Sequence, residues 1–137
     1  MTPEKLMEKA KQAMTRAYAP YSHTLVGAAL LCADGKVYQG CNIENASYGA
    51  TICAERVALH KAVYDGVWDF KAIAVCGGKE GRITDQFPPC GVCRQVMREF
   101  CGDDFILYLV GPDGAYETHT LAEILPCSFS ADRHMGE

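Results

Sequence analysis

The chain has 137 residues, of which 49% are hydrophobic and 22% charged, and this is the size and balance of one folded domain rather than of a disordered or fibrous protein. A formal net charge of -4 gives no electrostatic basis for holding nucleic acid, so a small-molecule partner is expected instead. The longest apolar stretches, residues 26–33 and 105–110, are far shorter than the roughly 20 residues that a membrane span needs.

The predicted elements alternate between helices and strands along the chain. Apolar residues at helical spacing, with Thr2 as a cap, predict a helix over residues 2–17. The Asp34-Gly35 pair predicts a hairpin turn between strands at 26–33 and 36–41. The elements that follow are helices at 51–65, 90–101 and 121–125 and strands at 70–76, 105–110 and 115–118. This order predicts one α/β domain over residues 1–137, a three-layer α-β-α sandwich in which helices cover both faces of a mixed, about five-stranded sheet.

The eight cysteines fall into two groups. Five of them lie in or beside apolar segments, where a free cysteine behaves as a small hydrophobic residue: Cys32, Cys41, Cys76, Cys101 and Cys127. The N-terminal segment is polar and periodic, without the basic start and apolar stretch of a secretory signal, so we expect a cytoplasmic protein with free thiols. The other three cysteines, Cys53, Cys90 and Cys93, stand in a context that indicates chemistry.

The candidate site combines Cys53-Ala-Glu55 at the start of one predicted helix with Pro89-Cys90-Gly-Val-Cys93 at the start of another. Cys90 and Cys93 are three residues apart, a spacing that places them on one helix face and is common in zinc sites. The free N–H groups and positive dipole of a helix start favour thiolates there. Three protein ligands leave a fourth zinc position open, as in catalytic sites, and Glu55 is then placed to move protons between water and a substrate.

On spacing alone, other interpretations of these cysteines stay open. A Cys-x-x-Cys pair is also found in redox sites and in structural zinc knuckles. A structural zinc site needs a fourth ligand, for which His60 or Cys101 would have to be recruited. The chain would then be a zinc-stapled interaction module rather than an enzyme.

Further motifs accompany this pattern along nearly the whole chain: Tyr18-Ala-Pro-Tyr-Ser, Val26-Gly-Ala-Ala-Leu, Gly40-Cys-Asn-Ile-Glu-Asn, Cys53-Ala-Glu-Arg, Pro89-Cys-Gly-Val-Cys-Arg-Gln-Val and Leu125-Pro-Cys-Ser-Phe. With them the chain resembles the zinc-dependent cytidine deaminases, and among these the short homotetrameric branch with three cysteines on zinc. The resemblance implies hydrolysis of cytidine and deoxycytidine to uridine and deoxyuridine with release of ammonia, as in pyrimidine salvage. It also implies one Zn²⁺ per chain on the three cysteines, whose bound hydroxide attacks C4 of cytosine with Glu55 as the proton shuttle.

The resemblance also implies how the substrate is bound. Asn42 and Glu44 match residues that bind the ribose hydroxyls, although turn chemistry alone also accounts for Asn42. The carboxylate of Glu44 disfavours a nearby phosphate, so we expect nucleosides rather than nucleotides. Ala54 matches a residue whose backbone contacts the base. Arg56 matches a residue that donates hydrogen bonds to the thiolates and offsets their charge, the alternative being a solvated helix arginine.

Two further expectations concern aromatic residues. Phe129 matches an aromatic residue that stacks on the pyrimidine of a neighbouring subunit, so active sites would be shared within a homotetramer; the alternative is that Phe129 fastens the segment 127–137 to its own core. Thr24 stands where the family usually has an aromatic residue. Either Tyr48, which we expect among the substrate-binding residues, Phe129 or a nearby side chain fills that space, or the substrate is a modified cytosine nucleoside such as blasticidin S.

Overall fold

A mixed five-stranded sheet forms the centre of the computed structural model, which describes residues 1–136. Its strands are β1 (Thr24–Cys32), β2 (Val37–Cys41), β3 (Phe70–Lys79), β4 (Ile106–Val110) and β5 (Tyr116–Thr120). They lie in the order β2-β1-β3-β4-β5, in which β3 and β4 are parallel and the other neighbouring pairs are antiparallel. The predicted α/β fold with a mixed sheet is confirmed.

Helices cover both faces of this sheet. They are α1 (Pro3–Met14), α2 (Ala54–Tyr64), α3 (Gly91–Phe100), α4 (Leu121–Ile124) and α5 (Ala131–His134). Because side chains alternate along a strand, Ile73 and Val75 of β3 join a core with α2, α3 and α4, whereas Ala72 and Ala74 join a second core with α1. Within residues 1–136, no helix combines the length and the apolar character that a membrane span requires.

The two helices that carry the candidate site begin later than the sequence predicts. Cys53 and Cys90 both have extended backbones, with ψ angles of 156° and 168°, and each is the residue immediately before its helix. Residues 51–53, the predicted start of α2, instead form an extended connection that follows a short 3-10 turn at Tyr48–Ala50. Both cysteines therefore lie at the irregular entrance of a helix rather than within one.

The start of α2 lies very close to the sheet. A Cβ atom at Gly40 of β2 would stand 2.3 Å from the carbonyl oxygen of Ala54 and 2.6 Å from the amide nitrogen of Ala58. Only glycine allows the helix backbone to approach the strand so closely. This contact fixes the first turn of α2, which holds Glu55, against the sheet.

The structure separates the five cysteines expected to behave as small hydrophobic residues. Cys32, Cys76 and Cys101 are buried, and burial raises the pKa of the Cys32 and Cys76 thiols to about 11. Cys41 is half-buried. Cys127 is exposed and has a positive φ of 53°, so the prediction for this residue is wrong.

Candidate active site

The three cysteines of the predicted metal site come together between α2 and α3. The Sγ atom of Cys90 lies 3.8 Å from that of Cys53 and 3.5 Å from that of Cys93, and the three sulfurs lie within 4.8 Å of one another. Tetrahedral zinc with Zn–S bonds of about 2.3 Å separates its sulfur ligands by about 3.8 Å. The thiol cluster, as we name Cys53, Cys90 and Cys93, therefore fits zinc.

A fourth protein ligand does not accompany the thiol cluster. Among residues 1–136, the only group of three or more possible metal ligands consists of these cysteines, and neither His60 nor Cys101 joins it. A closed structural zinc site requires a fourth Cys or His at the metal. The described residues leave the fourth position open, as a catalytic site does.

The thiol cluster favours negative charge. The pKa of Cys53 is lowered to about 5, first by its hydrogen bond with Cys93 and then by Arg56, whose Nη2 atom donates to Sγ of Cys53 over 3.4 Å. The same contacts raise the pKa of Arg56, because a guanidinium beside a thiolate keeps its proton. The pKa of Cys93 is raised because its thiol donates a hydrogen bond to the Cys53 thiolate and because it is buried. A divalent cation complements this arrangement by replacing the shared proton.

Glu55 occupies the buried first turn of α2. Its residue surface is 3% exposed, and burial raises the pKa of its carboxyl group to about 7. A group with a pKa near neutrality both accepts and releases a proton readily at pH 7, as general acid–base catalysis requires. Because Cys53 is extended, Glu55 and the cysteine two residues before it serve the same cavity, which a regular helix would prevent.

A cavity of about 230 Å³ adjoins the thiol cluster and is lined mainly by apolar surface. It brings Asn42, Glu44 and Ala54 together with Glu55, as the resemblance implies. Tyr48 and Phe129 are not among its lining residues in the described chain; they are 68% and 57% exposed.

The segment that carries Asn42 and Glu44 is fixed by backbone bridges. Ile43 pairs with Tyr18 on one side and with Ile52 on the other. The Oδ1 atom of Asn42 accepts from the amide of Val26 over 2.9 Å, and its Nδ2 atom donates to the carbonyl of Thr24 over 2.8 Å. Asn42 therefore bonds across to β1 rather than to its own turn, and one amide proton and one lone pair are left for a ligand.

Glu44 is held as a carboxylate by the loop before β1. Its Oε1 atom accepts from the amides of Tyr21 and Ser22, over 3.0 and 3.1 Å, and its Oε2 atom accepts from the Ser22 hydroxyl. These bonds, the hydroxyl first, lower the pKa of Glu44 below its ordinary value. The cavity lining thus carries a fixed negative charge at Glu44.

Comparison with known proteins assigns the family. Residues 1–109 match the sequence model described as "Cytidine and deoxycytidylate deaminase zinc-binding region". The chain belongs to this deaminase family. It is 50% identical over 132 residues to a curated cytidine deaminase of Sporosarcina psychrophila, covering 96% of this chain and 94% of the relative. A crystal structure of cytidine deaminase from Burkholderia pseudomallei matches with a TM-score of 0.87 and 45% identity, covering 94% of this chain and all of that one.

A more distant curated relative has another substrate in its name. Blasticidin-S deaminase of Bacillus cereus is 29% identical over 129 residues, which cover 91% of this chain and 90% of the relative. Membership of the deaminase family and the three-thiol cluster together establish zinc as the cofactor of this chain.

The sequence does not mark several residues of this deaminase site individually. Ser22 fixes Glu44, and Phe87 lines the cavity. Arg94 donates to the carbonyls of Pro89 and Ile124, over 2.8 and 2.7 Å, and so ties the loop before Cys90 to α4. The position of Arg94, directly after the Cys-x-x-Cys pair, is the one available sequence signal. Nothing in the sequence marks Phe87.

Proposed function

We propose that the chain catalyses the zinc-dependent hydrolysis of cytidine and deoxycytidine to uridine and deoxyuridine, with release of ammonia. One observation carries the proposal: a single cavity adjoins a three-thiol zinc site and is lined by a buried carboxyl group and by Asn42 and Glu44, the two residues expected to bind ribose. The 50% identity to a cytidine deaminase over almost the full chain supports the same substrate.

Glu55 is the proton carrier of this reaction. Zinc on Cys53, Cys90 and Cys93 would supply the Lewis acidity that makes water a nucleophile at neutral pH. Glu55 takes both protons of the attacking water in turn, giving one to ring N3 and one to the exocyclic amine. The water oxygen becomes O4 of uridine, the C4–N bond breaks, and the amine leaves as ammonia. A carboxyl pKa of about 7 suits both directions of transfer.

The other end of the cavity selects a nucleoside. Asn42 and Glu44 bind the ribose hydroxyls, and the carboxylate of Glu44 repels a phosphate. Ala54 is the first residue of α2, so its amide has no partner within the helix and is available to the base. Arg56 offsets the charge of the thiolates through its bond to Cys53.

A homotetramer with shared active sites completes the proposal. Phe129 is 57% exposed, which does not support fastening to its own core, and its carbonyl is held by Gln95 over 2.9 Å. An exposed aromatic ring on a fixed backbone suits a contact with a neighbouring subunit's nucleoside. Tyr48, stacked edge-on against Tyr21 with ring centroids 6.2 Å apart, serves the rim of the site. Eight free cysteines support a reducing, cytoplasmic location, where pyrimidine salvage takes place.

Deamination of a modified cytosine nucleoside such as blasticidin S is the second candidate function. Thr24 favours it, because this small side chain lines the cavity at the position where the resemblance implies an aromatic residue. The similarity to blasticidin-S deaminase is consistent with this function, although the cytidine deaminase is much more similar.

The deciding experiment measures zinc and turnover on one purified sample. Cytidine, deoxycytidine, cytidine monophosphate and blasticidin S are each followed by ultraviolet absorbance, with zinc per chain determined by mass spectrometry. We expect one zinc per chain, conversion of both nucleosides and little conversion of the monophosphate. Full zinc content without conversion of any nucleoside would refute the enzyme and favour the zinc-stapled module.

A further inference from the structure

Among residues 1–136, Phe87 is the only aromatic residue that lines the cavity. It lies in the loop between β3 and α3, and its side chain is half-buried against the core that α2 and α3 share with the sheet. The other candidate aromatic residues, Tyr48 and Phe129, lie outside this lining. The ring of Phe87 therefore stands alone as a flat apolar surface in the described cavity.

Gly77 of β3 sets the position of this ring. A Cβ atom at Gly77 would lie 2.9 Å from Cγ of Phe87 and 3.1 Å from both Cδ atoms. Nearly equal distances to these three atoms mean that the backbone meets the face of the ring rather than its edge. Glycine weakens the interior of a strand, and its presence here is explained by this close approach. Gly77 thus covers one face of the ring, and Phe87 also lines the cavity.

The strand register places this contact next to Thr24. Gly77 pairs with Val26 and Thr24 pairs with Lys79, so Thr24 and Gly77 are diagonal neighbours on one face of the sheet. Diagonal neighbours lie within reach of an aromatic side chain. A ring at position 24 would extend toward the space that Phe87 occupies above Gly77. The small side chain of Thr24 thus leaves space in the pocket wall for the ring of Phe87.

We propose that Phe87 is the aromatic wall on which the cytosine ring stacks, and that it is a specificity-determining residue positioned by Gly77. The inference rests on the proposed cytidine deamination and names the residue that takes the place of an aromatic side chain at position 24. Stacking holds the base in the ground state and the transition state alike, so its loss raises KM and leaves kcat nearly unchanged.

The first test replaces Phe87 by Leu and measures KM, kcat and zinc per chain with cytidine. Loss of base stacking is expected to raise KM on the order of 10-fold, with kcat within about twofold and one zinc per chain. Phe70→Leu is the matched control, because Phe70 packs edge-on against Phe100 at 6.2 Å and does not line the cavity. We expect Phe70→Leu to lower Tm without changing KM.

Gly77→Ala keeps the inference testable if Phe87→Leu does not fold, and a double variant tests for rescue if it does. Gly77→Ala retains the ring but displaces it, and is expected to raise KM. Thr24→Phe in the Phe87→Leu background supplies a ring from the neighbouring position, and is expected to recover most of the lost affinity. A wild-type protein that converts cytidine while Phe87→Leu or Gly77→Ala leaves KM unchanged would overturn this inference alone; an equal KM increase in Phe70→Leu would also overturn it. A wild-type protein with full zinc and no turnover would refute the proposed function, and the inference with it.

Discussion

The two ends of the cavity are built in different ways. At the thiol cluster, every chemical group lies at the entrance or in the first turn of α2 or α3, and Glu55 is buried. At the proposed nucleoside end, Glu44 is held by a loop distant in sequence, and Tyr48 and Phe129 are exposed and lie outside the cavity lining. The chemistry is thus complete in one chain, whereas recognition depends on long-range contacts and, as we propose, on a neighbouring subunit.

Replacement of Glu55 by Gln gives the largest expected effect and tests the chemical end of the cavity, which consists of the thiol cluster and Glu55. Glutamine keeps the size of the side chain but cannot accept the proton of water, so kcat is expected to fall about 10³-fold. Zinc per chain and KM are expected to stay near their wild-type values, because neither depends on the proton carrier. Glu99→Gln, at an exposed residue of α3, is the control and is expected to leave kcat unchanged. A Glu55→Gln protein with more than a tenth of the wild-type kcat, or with its zinc lost, would contradict the assigned role.

Replacement of Glu44 by Gln tests the nucleoside end. Loss of charge-assisted bonds to the ribose hydroxyls is expected to raise KM for cytidine about 30-fold and to change kcat little. The outcome that contradicts the prediction is a lower kcat at unchanged KM, which would place Glu44 in the chemistry instead.

The same variant predicts a dependence of stability on pH. The pKa of Glu44 is lowered in the folded chain, so its contribution to the free energy of unfolding is present above the ordinary pKa of 4.5 and is lost as pH falls through the folded pKa. The Tm of the wild type is therefore expected to exceed that of Glu44→Gln at pH 7, and the difference to shrink below pH 4.5. Thermal unfolding of both proteins between neutral and acid pH measures this difference in Tm. A difference that does not change with pH would contradict the hydrogen bonds of the Glu44 carboxylate to Tyr21 and Ser22.

The sequence predicts the chemical end well because its determinants are neighbours in the chain. Cys53 and Glu55 are two residues apart, and Cys90 and Cys93 three apart, so local helix starts bring them together. The alternation of helices and strands likewise predicts the sheet. The predicted helix starts are wrong by up to three residues, because the extended conformation of Cys53 depends on the bridge between Ile43 and Ile52.

The aromatic wall could not be predicted, for a related reason. The position of Phe87 depends on the approach of its loop to Gly77, and the position of Gly77 depends on pairing with Val26 in another strand. No local pattern in residues 77–90 encodes that register. Cys127 shows the same limit: its apolar neighbours indicate burial, but the residue is exposed and has a left-handed backbone conformation that no local pattern marks.

Replacement of Arg56 by Gln tests whether the chemical end needs a counter-charge. Its guanidinium donates to Cys53 over 3.4 Å, and a hydrogen bond to a charged group contributes about 1.5–3 kcal/mol. The expected result is about a 10-fold decrease in kcat with zinc content retained. Arg82→Gln, at an exposed residue of the loop after β3, is the control and is expected to leave kcat unchanged. Wild-type turnover in Arg56→Gln would leave Arg56 as a structural residue.

Phe129→Ala gives the smallest expected effect and addresses the shared site directly. Loss of one stacking contact at an exposed residue is expected to lower kcat/KM about fivefold. Met135→Ala is the control, because Met135 is a 70% exposed apolar residue of the same tail that has no proposed contact with the base. An equal decrease in Met135→Ala would indicate a general effect of the tail on assembly.

Mixed oligomers of two inactive or weakened chains separate a shared site from a self-contained one. Phe129→Ala subunits keep Glu55, and Glu55→Gln subunits keep Phe129. When the two kinds of subunit exchange between oligomers, a shared site can therefore combine an intact Glu55 from one chain with an intact Phe129 from its neighbour. If the site is shared, random exchange is expected to raise activity about threefold above the average of the unmixed proteins. If Phe129 serves only its own chain, no combination restores a complete site, and mixing leaves the average unchanged. Sedimentation of the same samples establishes the oligomeric state, so an unchanged average in a confirmed tetramer refutes the shared site itself.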